Sequence, residues 1–146
     1  MLQVDITMLL PALMTKLADA IAEMERDDTL KGYGVDAVRI SEARRELAVQ
    51  MAYYSRGRML PQDVMAMYKA AGLYAIAEAE TKIAVTWTLD SKHLRGLAVD
   101  LVPVRGGKLW WAAPLEVWER MGVIGEGHGL KWGGRWKNKD SPHFEL

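Results

Sequence analysis

Cysteine is absent from the 146 residues. Neither a disulfide framework nor a thiolate zinc site is therefore available, and any metal must be held by His, Asp or Glu. Charge of one sign is also lacking: nineteen basic residues face nineteen acidic ones. The surface has no field to gather nucleic acid or anionic lipid, and no partner of either kind is expected. Long apolar runs are missing too, since none reaches the roughly 18 to 20 residues that span a bilayer. The N-terminal MLQVDITMLLPALMTKLADAIAEM is apolar but lacks a basic leading region, carries Asp5 early and reads periodically. It is expected to be a helix rather than a signal peptide, in a soluble chain made in the cytoplasm.

What is present suits one domain, residues 1–146, with no internal repeat. A chain of this length buries roughly two-thirds of its unfolded surface and needs no staples. Apolar residues at three- and four-residue spacing (Leu9, Leu13, Leu17, Ile21, Met24) predict a helix from Met8 to Met24. Lys31-Gly32-Tyr33-Gly34 ends it, and Val35, Ala37, Val38 and Ile40 suggest a short strand. RRELAVQMAYYSRGR reads as a helix closing on Gly57, and Pro61 to Lys82 as another, interrupted at Gly72. Beyond Thr81 the runs KIAVTW, GLAVDLVPV and GKLWW read as sheet, followed by a helix from Pro114 to Met121 and a Trp-rich end. The expectation is an α+β fold, N-terminal helices packed on a mainly antiparallel sheet.

Two stretches carry chemistry. SKHLRGLAVD, residues 91–100, brings His93 and Asp100 around Gly96 and Ala98. The C-terminal GLKWGGRWKNKDSPHFEL adds Asp140 and His143. Residues at i and i+3 of a flat strand point to opposite faces, but Pro142 fixes its own φ and drives Ser141 toward extended conformations. Asp140 and His143 can then turn to one side. His93, Asp100 and His143 form a set of two imidazoles and one carboxylate, the kind a catalytic zinc uses while keeping a fourth position for water. Asp140 is the candidate general base, a role worth on the order of a hundred- to ten-thousandfold. An Asx-Pro turn is the plainer reading of Asp140. His128, between glycines in EGHGLKWGG, reads as a loop residue rather than a ligand.

SKHLRGLAVD followed by WGGRWKNKDSPHFEL resembles the zinc D,D-peptidase and L-alanyl-D-glutamate peptidase family, whose pattern is S-x-H, G-x-A-x-D and a terminal W-G-G-x-W with D-x-P-H-F-E. Upstream, SEARRELAVQMAYYSRGR is similar to the family's S-E-G-Y-R-x-x-x-x-Q-x-x-x-Y-x-x-G-R. The resemblance implies a Hedgehog/D,D-peptidase-like fold and one zinc ion per chain. It puts Arg45 where the family stabilises charge on the scissile carbonyl oxygen, and Gln50 at its glutamine. Ala43-Arg44 replaces the family's Gly-Tyr, so a shift of one residue between Arg44 and Arg45 stays open, as does simple pairing of Arg45 with Glu42. The helical stretch between residues 59 and 82 is longer than the family's usual loop.

Ser91 is expected to contact substrate or a ligand, and Glu145 to orient His143 through its other ring nitrogen. Trp132 and Trp136 either pack the sheet and wall the cleft or stack on sugar. By resemblance the chain is a peptidoglycan hydrolase, a monomer acting on the stem peptide. The L-Ala to D-Glu endopeptidase of a phage lysin is the first expectation. A D-Ala carboxypeptidase and a non-catalytic wall-binding module are the alternatives. The lysin reading implies a protein held in the host cytoplasm until released to the wall, without a separate wall-binding domain.

Overall fold

The computed structural model describes residues 9, 11–43, 45–88 and 92–146. Arg44 and Ser91 lie outside them. The described residues divide into two units, one holding 45–94 and the other the residues before 45 and after 94.

In the larger unit the first helical pattern folds as read, as helix α1, Pro11–Arg26, which buries Leu13, Leu17, Ala20 and Met24. Pro11 suits a first helical turn, and Met8, where the periodicity starts, lies outside the described residues. A short helix that the sequence reading missed, α2 (Asp28–Gly32), follows at once. Its N-cap is Asp27, whose carboxylate accepts the Leu30 N–H at 3.0 Å. The Arg120 guanidinium, 2.7 Å away, holds the Asp27 carboxyl below the usual carboxylate range. One side chain thus caps a helix and ties it to a distant segment.

The sheet has five strands: β1 (Ala37–Glu42), β2 (Ala98–Arg105), β3 (Lys108–Leu109), β4 (Lys131–Trp132) and β5 (His143–Glu145). Their order is β1-β2-β5-β4, with β3 beside β2, and every pairing is antiparallel. Strand β2 is central, and its apolar residues from Ala98 to Val104 are buried on both faces. The core joins α1, the sheet and helix α6, Leu115–Gly127. The fold class read from the sequence, helices with an antiparallel sheet, is borne out.

Helix α6 runs six residues beyond the Met121 end expected, through Gly122 and Gly125. Glycine weakens an isolated helix by about 1 kcal/mol relative to alanine, yet here its missing side chain is needed. A Cβ on Gly122 would collide with the Trp132 ring, and one on Gly125 would stand 2.5 Å from the Phe144 ring. The aromatic rings of β4 and β5 occupy the space that two helical residues leave empty. Packing overrides propensity.

The smaller unit contains α3 (Leu47–Ser55), α4 (Pro61–Ala70) and α5 (Glu78–Thr81) around Ala52, Val64, Tyr68 and Ile76. The helical stretch breaks at Gly72, at φ +72°, as expected. The nearly buried Arg56 fastens its end: Nε donates to the carbonyls of Glu80 and Ile83 at 3.0 and 3.1 Å, and Nη1 to the Tyr68 hydroxyl at 3.3 Å. Burial, aided by a hydrogen bond to Glu80, pushes the Tyr74 hydroxyl up to about 12.

Two strand expectations fail. KIAVTW forms none, and Ile83, Val85 and Trp87 are exposed. The carbonyls of Ile83 and Thr88 accept from the side chains of Arg56 and Gln50, not from a neighbouring strand. GKLWW shrinks to the two residues of β3. Among the described residues no helix is long and apolar enough to cross a membrane.

Gly122→Ala tests the packing account. Its methyl gains helix propensity but meets the Trp132 ring, so overpacking should leave a net loss of about 1–3 kcal/mol in urea unfolding. A stabilised variant would mean that the ring does not fill that space.

Candidate metal centre

Strand register brings two of the candidate ligands together. In the β2–β5 pair Asp100 stands directly opposite His143, with Val99 opposite Phe144 and Ala98 opposite Glu145. Directly paired residues project to the same face, and neighbours along a strand to opposite faces. Phe144 therefore enters the core while Asp100 and His143 share the other side. The Asp100 Oδ1 to His143 Nδ1 distance is 3.7 Å. Strand β1 bulges opposite this point, with the register shifting between Ile40 and Glu42. Bulges of this kind re-aim side chains beside functional sites.

His93 comes from the 3-10 turn Lys92–Arg95 and is buried. Gly96, at φ +68°, then reverses the chain into β2, a left-handed conformation for which glycine is suited. His93, Asp100 and His143 each offer a ligand atom within 4.8 Å of the others. The donors fit zinc in kind as well, two imidazoles and one carboxylate. The two histidines are almost fully buried and the Asp100 side chain is 17% exposed, so the set is shielded from bulk water.

Asp140 lies in the turn before β5. Its N–H donates to the Gly133 carbonyl at 3.0 Å, and its own carbonyl accepts the His143 N–H at 3.2 Å. The turn packs so closely on Gly133 that a Cβ there would stand 2.5 Å from the Asp140 carbonyl oxygen and 2.9 Å from the His143 Cβ. The first glycine of the WGG motif is thus the floor under this turn. Asp140 Oδ2 is 3.9 Å from His143 Nδ1, the nitrogen that Asp100 also faces, but its side chain is 47% exposed. One carboxylate is inside and the other at the mouth.

Glu145 Oε1 lies 4.0 Å from the opposite ring nitrogen, Nε2 of His143, beyond hydrogen-bond reach but on the side expected for an orienting carboxylate. The Trp136 ring centroid is 4.7 Å from that of His143, and Trp136 is 40% exposed, so it walls the imidazole. Trp132 is different. It is buried, and its Nε1 donates to the Ser141 carbonyl at 2.7 Å. The substrate contact considered for Trp132 gives way to packing, with its one polar atom bracing the Asp140 turn. His128 stands at the end of α6 against the Glu23 carboxylate, outside the ligand group.

In the smaller unit the Arg45 N–H donates to the His93 carbonyl at 3.1 Å. Its guanidinium donates to Gln50 Oε1 at 2.5 Å and lies 4.9 Å from the Tyr53 ring centroid. Gln50, fully buried, donates in turn to the Thr88 carbonyl at 2.6 Å and the Thr86 hydroxyl at 3.2 Å. These threonine contacts escaped the sequence reading, because residues 82–87 looked like a strand. The i+5 spacing of Arg45 and Gln50 was the one available signal.

Two imidazoles and a carboxylate, with a half-exposed second carboxylate near His143, are donors of the kind a metallohydrolase uses. Comparison with known proteins narrows the class. Residues 84–146 match a family model described as D-alanyl-D-alanine carboxypeptidase. The chain is similar in structure to the L-Ala D-Glu endopeptidase ChiX of Serratia marcescens, with a TM-score of 0.58 and 24% identity over 97% of this chain and 82% of that one. It is also similar to a mutant of the vancomycin-resistance D,D-pentapeptidase VanY from a VanB-type cassette, in complex with Zn(II), with a TM-score of 0.53 and 18% identity over 94% of this chain and 72% of that one. No curated protein sequence matches. The resemblance read from the sequence is matched over residues 84–146, the segment that holds the candidate ligands, and the two solved structures share the fold.

The cluster is expected to bind one zinc ion per chain. His93→Ala and His143→Ala should each lower affinity at least tenfold to a hundredfold in metal titrations, since each removes one of three protein ligands. His128→Ala should bind like the unaltered protein. Stoichiometric zinc at unchanged affinity in both ligand variants would place the ion elsewhere.

Proposed function

We propose that the protein is a zinc peptidase that hydrolyses the L-Ala–D-Glu amide of the peptidoglycan stem peptide, as the endolysin of a phage. One observation carries the catalytic part of this reading. Asp100 and Asp140 face the same nitrogen of His143 at similar distances, 3.7 and 3.9 Å, but with 17% and 47% of their side chains exposed. The inner carboxylate suits a ligand. The outer one can meet water and peptide, which a pure binding module does not require.

Zinc in this site supplies Lewis-acid polarisation of the scissile carbonyl and of water. The protein's residues do the rest. Asp140 takes a proton from the attacking water at its exposed carboxylate and delivers it to the leaving amine, so one group serves as base and then as acid. Arg45 offers a fixed positive charge to the oxygen on which negative charge grows. Glu145 sets a negative charge on the Nε2 side of His143, and Trp136 excludes water from one side of the ring.

Support for the endopeptidase comes from the D-S-P-H-F-E ending and from the likeness to ChiX, a protein described as an L-Ala D-Glu endopeptidase. The likeness to VanY, described as a D,D-pentapeptidase, keeps carboxypeptidase activity as the second reading. In the lysin reading one chain works alone, waiting in the host cytoplasm until it is released to the wall.

Purified muropeptides and mass spectrometry separate these outcomes. New amino-terminal D-Glu marks the endopeptidase, released D-Ala the carboxypeptidase, and no cleavage a binder. Asp140→Asn should keep zinc and fold while hydrolysis falls by roughly two to four orders of magnitude. Near-normal cleavage by a zinc-replete Asp140→Asn protein would rule out the base role. If the substitution empties the metal site, the two aspartates exchange roles.

A further inference from the structure

We propose that Gln50 is the positioning residue for Arg45, and that its fixed amide sets where the guanidinium stands. The inference rests on the catalytic reading of Arg45 given above, and its geometry lies wholly within residues 45–93. A fully buried glutamine in the middle of α3 has an amide with one acceptor and two donors to satisfy. Here Oε1 accepts from Arg45 Nη1 at 2.5 Å, while Nε2 donates to the Thr88 carbonyl at 2.6 Å and to the Thr86 hydroxyl at 3.2 Å. The two acceptors on the Nε2 side decide the orientation of the amide. Reversing it would point Oε1 at the Thr88 carbonyl, acceptor against acceptor, and an N–H at the guanidinium, donor against donor.

Gln50 therefore presents oxygen, and only oxygen, to Arg45. The Tyr53 ring, 4.9 Å from Cζ, and the bond from the Arg45 N–H to the His93 carbonyl hold the residue as well. A neutral acceptor has a further consequence. A carboxylate at position 50 would offset the arginine's charge, whereas the neutral amide holds the group without adding a charge of its own. Preorganised charge counts in catalysis because it needs no reorganisation when the transition state forms. A small misplacement of such a group can cost on the order of a hundredfold.

The test is Gln50→Met, which keeps a straight, buried side chain and removes both sets of hydrogen bonds. In the zinc-loaded enzyme kcat should fall about ten- to a hundredfold, with KM within about twofold, because charge that develops in the transition state is affected and ground-state binding is not. In an Arg45→Ala background the same substitution should change kcat by less than about twofold, since the group it positions is gone. A general weakening of the fold would lower kcat in both backgrounds. Independently of turnover, nitrogen-15 spectra of the Arg45 guanidinium should show restricted rotation in the unaltered protein and averaged signals in Gln50→Met. Should Gln50→Met not fold, Thr86→Val, at a partly exposed position, should give the same averaging and a smaller kcat loss. Unchanged guanidinium signals, or equal kcat losses with and without Arg45, overturn the proposal. Restricted signals that average as expected in a protein that cleaves no muropeptide would uphold the positioning and reject the catalytic reading instead.

Discussion

The pairing of β2 with β5 is the constraint on which the site depends. It sets Asp100 opposite His143 although they are distant in sequence. The same register sends Val99 and Phe144 into the core, so burial of a phenylalanine and presentation of two ligands are one event. A slip of one residue would exchange the faces, putting Phe144 among the polar residues and a histidine in the core. The hydrophobic effect thereby enforces a geometry that the polar residues could not hold alone. The bulge in β1 and the Gly133 floor beneath the Asp140 turn adjust positions that this register has already chosen.

The smaller unit is held by other means. Its apolar cluster is small, and two buried polar side chains tie segments of irregular backbone to its helices: Arg56 to the carbonyls of Glu80 and Ile83, and Gln50 to that of Thr88. Buried hydrogen bonds add modest net stability when made, but leaving one unmade costs about 1–3 kcal/mol. They discriminate strongly between correct and incorrect arrangements. Among these bonds is the one by which Gln50 accepts from the Arg45 guanidinium.

Much of this was legible in the sequence, unevenly. The ligand triplet was accessible because its motifs lie in short segments with fixed spacing, and the GLAVDLVPV strand because a central strand buried on both faces reads as a continuous apolar run. KIAVTW, also rich in β-branched and apolar residues, forms no strand. A run of β-branched residues shows that a strand is feasible, not that a partner edge is available. Helix α6 was read too short because Gly122 and Gly125 look like stop signals until the rings that fill their space are known. The roles of Thr86 and Thr88 were invisible, since they rest on a side chain from another helix. Arg44 and Ser91 fall outside the described residues, which leaves Arg45 as the arginine whose surroundings can be stated.

The glycines of α6 also bear on the order in which the molecule can assemble. Gly122 and Gly125 together forgo roughly 2 kcal/mol of intrinsic helix propensity, so the C-terminal half of α6 is a poor helix by itself. What restores it are Trp132 and Phe144, which belong to the two strands beside the metal ligands. The last turns of α6 and the strand that carries His143 therefore support each other. A change at either glycine would then reach the strand that carries His143 through the ring it displaces.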